Sequence, residues 1–171
     1  MPEARDEYIT NYLKATRETG RLMLFACDQK IEHLNKDFYG EGIDIADLDP
    51  EHLFKIGSEG VCGVLAGQRG LVAQYAADYP EINYLIKMNS KTNLVGTKQE
   101  DPYSPQLYDL DAVLAMKEAG VNIVGLGYTI YLGSDVRGHH DGRGRRAHRP
   151  GPCQRPHRRA VDLPPRQGRD C

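Results

Sequence analysis

The chain has 171 residues, of which 40% are apolar and 27% are charged, and its formal net charge is −2 at pH 7. This composition predicts an ordinary globular domain and excludes collagen-like and coiled-coil proteins, whose repeats the sequence lacks. No apolar run approaches the roughly 18 residues that cross a bilayer, and the first residues do not resemble a secretory signal. We therefore expect a cytoplasmic protein without a membrane partner.

The charge is divided unevenly along the chain. Residues 1–134 carry 12 Lys and Arg against 20 Asp and Glu, a net −8, whereas residues 135–171 carry 10 Arg against 4 Asp, a net +6. The sequence therefore predicts two regions of different character that meet at Ser134.

The first predicted elements alternate between helix and strand. A helix is expected over 5–19 and ends at Gly20, where glycine permits the turn that closes a helix. The fully apolar run 22–27 predicts a strand that is buried on both faces. A second helix begins at Pro50, since proline is tolerated in a first helical turn, and a second strand is predicted over 61–66.

The alternation continues as far as residue 127. We predict a helix over 68–78, a strand over 84–88, a helix over 109–119 and a fourth strand over 121–127. Apolar strands separated by helices are typical of βα units on a parallel sheet. The predicted fold class is therefore α/β, and four such units represent half of a larger fold.

Polar side chains follow the first and third predicted strands. Asp28 comes directly after an apolar run, so its carboxylate either serves proton transfer or only caps a loop. Lys87 lies within an apolar run, and an unpaired buried ammonium is costly. It could attack a carbonyl, but the alternative that we favour is an ion pair with a neighbouring strand.

Hydroxyl groups follow the fourth predicted strand. Tyr128 and Tyr131 could line a site or pack in the core, and Arg69, just past the second strand, could bind phosphate or remain in solvent. These residues together indicate a site for a small anionic metabolite with a carbonyl group. No metal is expected, because no set of His, Cys and carboxylate residues has ligand spacing. Cys27 and Cys62 are predicted to be buried free thiols.

Three segments resemble a known family: FACDQKIEH at 25–33, LIKMNSKT at 85–92 and GYTIYLGS at 127–134. They are similar to the archaeal-type class I fructose-bisphosphate aldolases, and the resemblance covers about residues 20–134. It implies the first four units of a (β/α)8 TIM barrel. It also implies lysine-imine chemistry without a metal or cofactor, and a homo-oligomer for an intact member.

The resemblance assigns roles to several residues. It implies that Asp28 is catalytic and moves protons while fructose 1,6-bisphosphate is cleaved to dihydroxyacetone phosphate and glyceraldehyde 3-phosphate. His33, Lys87, Tyr128 and Tyr131 are the expected contacts to the sugar phosphate. In this family the imine-forming lysine ends the sixth strand and a tyrosine in Tyr-Pro-Arg-Gly ends the fifth. A related Schiff-base aldolase or transaldolase acting on another phosphorylated sugar is the alternative.

The sequence departs from the family at two places. Positions 29 and 30 are Gln and Lys, where the family usually has His and Gly, so the first loop differs. Residues 135–171 contain ten arginines, no lysine and five prolines, which predicts a disordered tail rather than a further βα unit.

The tail is interpreted as an out-of-frame translation. Shifting the codons of residues 161–170 by one base permits a run that contains Tyr-Pro-Arg-Gly, with the tyrosine at position 163. The chain is then expected to be inactive and to self-associate or aggregate through open sheet edges. Nucleic-acid binding through the arginines is a lower-ranked alternative from another functional class.

Overall fold

In a computed structural model the chain is described for residues 2–28, 38–91 and 104–132. Its centre is a sheet of four parallel strands, which hydrogen-bond to each other in the order in which they occur in the sequence. The strands are β1 (Leu24–Ala26), β2 (Val64–Gln68), β3 (Tyr84–Lys87) and β4 (Ile123–Gly127). The predicted α/β class is confirmed. The tail at 135–171, predicted to be disordered, lies outside the described residues.

Helices precede and separate the strands. They are α1 (Pro2–Thr16), a 3-10 helix (Ile45–Leu48), α2 (Glu51–Glu59), α3 (Arg69–Tyr75) and α4 (Leu110–Glu118). Helix α4 begins where the Asp109 side chain accepts a hydrogen bond from the Ala112 amide, and Gly120, with a φ of 98°, follows its end. Such capping satisfies amide groups that have no partner inside the helix. None of the helices in the described ranges is long and apolar enough to cross a membrane.

Helix α1 ends three residues earlier than predicted. Arg17 and Glu18 adopt left-handed backbone angles, and the Glu18 amide donates to the Leu13 carbonyl at 3.0 Å. The Thr19 hydroxyl donates to the Thr16 carbonyl at 2.6 Å. These bonds satisfy carbonyls of the last turn before the chain reaches Gly20.

The burial predicted for the first strand is wrong. Leu24 is 38% exposed and Ala26 is also exposed, whereas all five residues of β2 are buried. The reason is position, because β1 forms an edge and pairs only with β2 in the described sheet. An apolar run identifies a strand, but its burial depends on which elements lie beside it.

Strand β2 begins later than the predicted 61–66. Val61 is 77% exposed, and the pairing with β1 starts only at Val64. Just before it, Gly63 passes so close to the Ala15 carbonyl of α1 that a side-chain carbon would collide with it. Glycine is therefore required at this crossing, and the strand forms beyond it.

The hydrophobic core lies between the sheet and helices α2, α3 and α4. Phe54 of α2 is 1% exposed, and its ring contacts the rings of Tyr75, Tyr79 and Tyr84. Because side chains alternate along a strand, the remaining residues of each strand face the other side of the sheet. The core contains these buried side chains: Cys27, Phe54, Leu65, Val72, Ala76, Ile82, Tyr84, Ile86, Met88, Val113, Met116 and Ile123.

Helix α1 closes the N-terminal end of the sheet. The Lys14 carbonyl accepts a hydrogen bond from Asn83 at 3.3 Å, and the Lys14 ammonium donates to Asn122 at 3.2 Å. Asn122 also donates to Asn83 at 2.8 Å. Glu7 of the same helix forms an ion pair with Lys117 at the end of α4. These contacts leave the opposite, C-terminal end of the sheet for the site.

Candidate functional site at the C-terminal ends of the strands

An ion pair lies at the C-terminal end of the sheet. The Lys87 ammonium, on the last residue of β3, is 2.5 Å from a carboxylate oxygen of Asp28, which follows β1 by two positions. The two side chains are only 5% and 16% exposed. The structure therefore brings together two of the site residues that the sequence predicted.

The two partners do not belong to neighbouring strands. Strand β2 lies between them, and its Gln68 is in register with Lys87. In a βα barrel, the side chains of one interior layer come from alternate strands. The predicted ion pair of Lys87 is confirmed, but the prediction that its partner lies on a neighbouring strand is wrong, because Asp28 follows β1 and the pair spans the face of β2 between them.

Glycines on β4 make room for this pair. Gly125 and Gly127 lie opposite Leu85 on the same face of the sheet. A side-chain carbon at Gly127 would collide with Leu85 and lie 3.6 Å from Cδ of Lys87. The long lysine side chain therefore runs over a strand surface that has no side chains of its own at these positions.

The pair can accept and donate hydrogen bonds in a nearly dry environment. An ionised carboxylate only accepts and an ammonium only donates, so each satisfies the other. An amine attacks a carbonyl through a free lone pair, which an ammonium lacks. The geometry therefore suits Asp28 as a proton-accepting group and does not favour Lys87 as a nucleophile.

Asn89 is a polar residue at the end of the third strand to which sequence reasoning assigned no role. It is fully buried, and its amide donates to the carbonyls of Ser104 at 3.2 Å and Thr129 at 2.8 Å. Its side-chain oxygen accepts from the Thr129 amide at 2.9 Å. The available signal was a carboxamide two positions after Lys87, which places both side chains on one face of an extended chain.

The tyrosines are placed differently from Lys87. Tyr128 is half-buried and packs against the core cluster on the helix side of the sheet. Tyr131 is also half-buried, further along the same segment. Arg69 lies with its guanidinium carbon 5.7 Å from the ring centre of Tyr108, a cation–π contact outside the pair. His33 lies outside the described residues.

Cys27 adjoins the pair but is not a reactive thiol. Burial, and secondarily the charge of Asp28, raises the pKa of Cys27 to about 12. The thiolate is the nucleophilic form of cysteine, so this side chain is inert at neutral pH. The predicted burial is confirmed for Cys27 and wrong for Cys62, which is only half-buried because it lies in the segment before β2, next to Val61, which is exposed.

A cleft of about 470 Å³ occurs at the opposite end of the sheet. Its walls include Arg17, Ser58, Glu81 and Asn83. The Ser58 hydroxyl donates to Glu81 at 2.6 Å, and this hydrogen bond lowers the pKa of Glu81. The cleft lies at the N-terminal ends of the strands, away from Asp28 and Lys87, so we do not place the site there. Within residues 2–28, 38–91 and 104–132 no cluster of potential metal ligands occurs.

Comparison with known proteins shows which family this chain resembles. The model of the DeoC/LacD family aldolase matches residues 22–139. A curated protein from Methanocaldococcus jannaschii, named fructose-bisphosphate aldolase/6-deoxy-5-ketofructose 1-phosphate synthase, is 55% identical over 138 residues. These residues are 79% of this chain and 44% of that protein.

A solved structure is also similar to this chain. The fructose-bisphosphate aldolase from Slackia heliotrinireducens DSM 20476 superimposes with a TM-score of 0.80 at 69% sequence identity. The alignment covers 86% of this chain and 46% of that one. The chain thus spans slightly less than half the length of the two aldolases that it matches.

Proposed function

Since the chain belongs to the DeoC/LacD aldolase family, we propose that it supplies the first half of a metal-independent fructose-bisphosphate aldolase. The ion pair between Asp28 and Lys87 at the C-terminal ends of the strands is the observation that carries this proposal. In βα barrels this end of the sheet holds the reacting groups. The substrate we assign is a phosphorylated ketose, and the compartment we assign is the cytoplasm.

The proposed reaction is cleavage of a carbon–carbon bond beside a carbonyl. An imine between a lysine and the ketose accepts the electron pair of the breaking bond, while a base removes the proton of the neighbouring hydroxyl. We assign proton transfer to Asp28, whose carboxylate is a hydrogen-bond acceptor on a side chain that is only 16% exposed. Lys87 holds that carboxylate in place, and the imine-forming lysine belongs to the sixth strand that the sequence resemblance implies.

His33, Tyr128 and Tyr131 remain proposed contacts to the sugar phosphate. Tyr128 and Tyr131 lie on the segment that follows β4, at the same end of the sheet as Lys87. Of the two, Tyr131 is the stronger candidate, because Tyr128 packs against the core cluster. A phosphorylated sugar of another size would contact the same segment after β4. The proposal therefore includes a related aldolase that acts on another phosphorylated sugar.

A second candidate activity has a specific basis. The name of the Methanocaldococcus relative includes 6-deoxy-5-ketofructose 1-phosphate synthase as well as fructose-bisphosphate aldolase. Formation of a carbon–carbon bond next to a carbonyl is the reverse of cleavage, so the group that accepts the hydroxyl proton in cleavage returns a proton in formation. The same Asp28 carboxylate would therefore serve both reactions.

We further propose that residues 135–171 are translated out of frame. The composition changes at Ser134 from net acidic to arginine-rich, and the family match ends at residue 139, soon after this change. The family and both relatives are aldolases, so we retain an aldolase function over nucleic-acid binding.

The test combines the full chain with a separate polypeptide that comprises the second half of the Methanocaldococcus aldolase. We expect the purified complex to cleave fructose 1,6-bisphosphate, measured by the release of glyceraldehyde 3-phosphate. Asp28→Asn should lower kcat by about a hundredfold or more, since it removes a general base. Asp111→Asn, an exposed substitution in α4, is the control and should leave kcat unchanged.

Borohydride trapping then identifies the nucleophile. A stable reduced adduct on the added half, with none on Lys87, is expected. A well-formed complex that neither cleaves the bisphosphate nor yields an adduct would overturn the proposed function. An adduct on Lys87 would instead overturn its assignment as the partner of Asp28.

A further inference from the structure

Asn89 joins two loops directly beyond the Asp28–Lys87 pair. Its side chain forms hydrogen bonds only with backbone groups, two on Thr129 and one on Ser104. Ser104 lies before α4, and Thr129 follows β4, so one carboxamide connects the exits of β3 and β4. All three bonds are at 3.2 Å or less, and Asn89 has no exposed surface.

The backbone around Asn89 extends the sheet past its last strand residue. The Met88 amide donates to Gly127 at 2.8 Å, and the Met88 carbonyl accepts from Leu107 at 2.9 Å. Asn89 also forms a bridge with Gln106. The segment is thus held by backbone hydrogen bonds to both Gly127 and Leu107, which makes its side-chain direction well defined.

Alternation places Asn89 in the layer beyond the ion pair. Lys87 and Asn89 are two residues apart on an extended chain, and Gly127 and Thr129 are two residues apart on its neighbour. Lys87 is in register with Gly127, and Asn89 is bonded to Thr129. The two loops that Asn89 connects therefore lie one layer beyond the pair at the same end of the sheet, and we refer to them as the rim.

We propose that Asn89 is a positioning residue that fixes this rim and keeps the Asp28–Lys87 pair dry and in register. The inference rests on the proposed function, because it assigns a role in the same site. Asn89 does not contact a substrate in this role. It acts through the backbone of Thr129, which carries the segment with Tyr131, and through Ser104.

Asn83 provides a matched control at the other end of the same strand. Its amide also donates to two backbone carbonyls, those of Gly63 at 2.9 Å and Lys14 at 3.3 Å. Asn83→Ala and Asn89→Ala thus remove similar sets of hydrogen bonds from opposite ends of β3. A purely structural role predicts similar behaviour for both variants, whereas a positioning role predicts a difference at the site.

The readout is the accessibility of Lys87 in the full chain. Folded wild type and both variants are treated with limiting acetic anhydride, and acetylation of each lysine is measured by peptide mass spectrometry. Exposed Lys55 serves as the internal reference. We expect Asn89→Ala to raise Lys87 labelling by about fivefold or more, through local opening of the rim. Asn83→Ala should leave it within about twofold while lowering the melting temperature comparably.

Equal Lys87 labelling in the two folded variants would overturn the proposal. If Asn89→Ala does not fold, the proposal is tested by hydrogen exchange of the Thr129 amide in the wild-type chain. Protection of the Thr129 amide similar to that of β4 amides supports the proposal that Asn89 fixes the rim. Exchange at the rate of an unstructured peptide refutes it. These readouts need no catalysis, so failure of the aldolase assay would leave them interpretable and would count only against the proposed function.

Discussion

At the N-terminal ends of the strands, Asn83 and Asn122 form hydrogen bonds with each other and with the carbonyl and ammonium groups of Lys14 in α1, which is exposed. At the C-terminal ends, an ammonium and a carboxylate meet with almost no solvent contact. Burial of charge costs more than burial of amides, even when the charges are paired. The contrast indicates that one end of the sheet is arranged for folding and the other carries a costly arrangement that folding alone does not require.

Breaking the ion pair should have the largest effect of the changes considered. Lys87→Met keeps the length of the side chain but leaves the Asp28 carboxylate buried beside an apolar group. We expect a loss of about 3–5 kcal/mol in the free energy of unfolding. Urea denaturation monitored by circular dichroism measures it.

The double variant Asp28→Asn/Lys87→Met sharpens this comparison. It removes both charges, so it should recover most of the stability that Lys87→Met loses. A single Lys87→Met variant as stable as wild type would show that the pair is not buried in solution.

An intermediate effect is expected at the N-terminal end. Gly63→Ala places a carbon against the Ala15 carbonyl, which is backbone and cannot rotate away. The free energy of unfolding should fall by about 1–3 kcal/mol. The control is Gly70→Ala in α3, where the added carbon meets open space and should stabilise the helix by about 0.5–1 kcal/mol. Equal melting temperatures for the two variants would contradict the close crossing of α1 over β2.

The smallest effect concerns the ion pair of Glu7 and Lys117 on the surface. Hydrogen bonding to Lys117, together with its charge, lowers the pKa of Glu7 from its ordinary value of 4.5. A carboxyl with a lowered pKa in the folded state stabilises the protein above its ordinary pKa, and this contribution is lost as the pH falls through the lowered pKa. Both side chains are substantially exposed, so solvent screening keeps the contribution small.

Lys117→Ala should therefore lower the melting temperature only slightly at pH 7, by about 2 °C or less, and the difference should shrink in high salt. Thermal melts of both proteins at pH 7 and below pH 4.5 measure it. A difference that grows on acidification would have the wrong sign for this pair.

Local patterns predicted much of the fold. The apolar run at 84–88 identified β3 to within one residue, and Asp109 with Gly120 marked the limits of α4 almost correctly, because caps depend on the chain immediately around them. The start of β2 was missed because Gly63 crosses α1, whose residues are some fifty positions away in sequence. The exposure of β1 was missed because it depends on the position of the strand in the sheet.

For the site too, sequence reasoning found the local features and missed the contacts between distant residues. Sequence reasoning selected Asp28 and Lys87 as polar residues at strand ends, but it could not pair them, because their contact crosses an intervening strand. It noted Asn89 at a strand end but assigned it no role, since a carboxamide in a loop is common and only its hydrogen bonds to three backbone groups distinguish it. Sequence reasoning left Tyr128 open between the site and the core, because proximity to a strand end does not tell which face a side chain takes.

By itself, the sequence determined the alternation of helices and strands, the parallel class of the sheet, the family of aldolases, and the polar residues that end the first and third strands. Hydrophobic period, capping and short motifs are local properties, and local properties can be read along a chain. Only the tertiary structure decided which charges meet, which face Tyr128 occupies and which loops Asn89 connects. Those facts depend on the register between strands, and register is fixed by packing across the whole sheet.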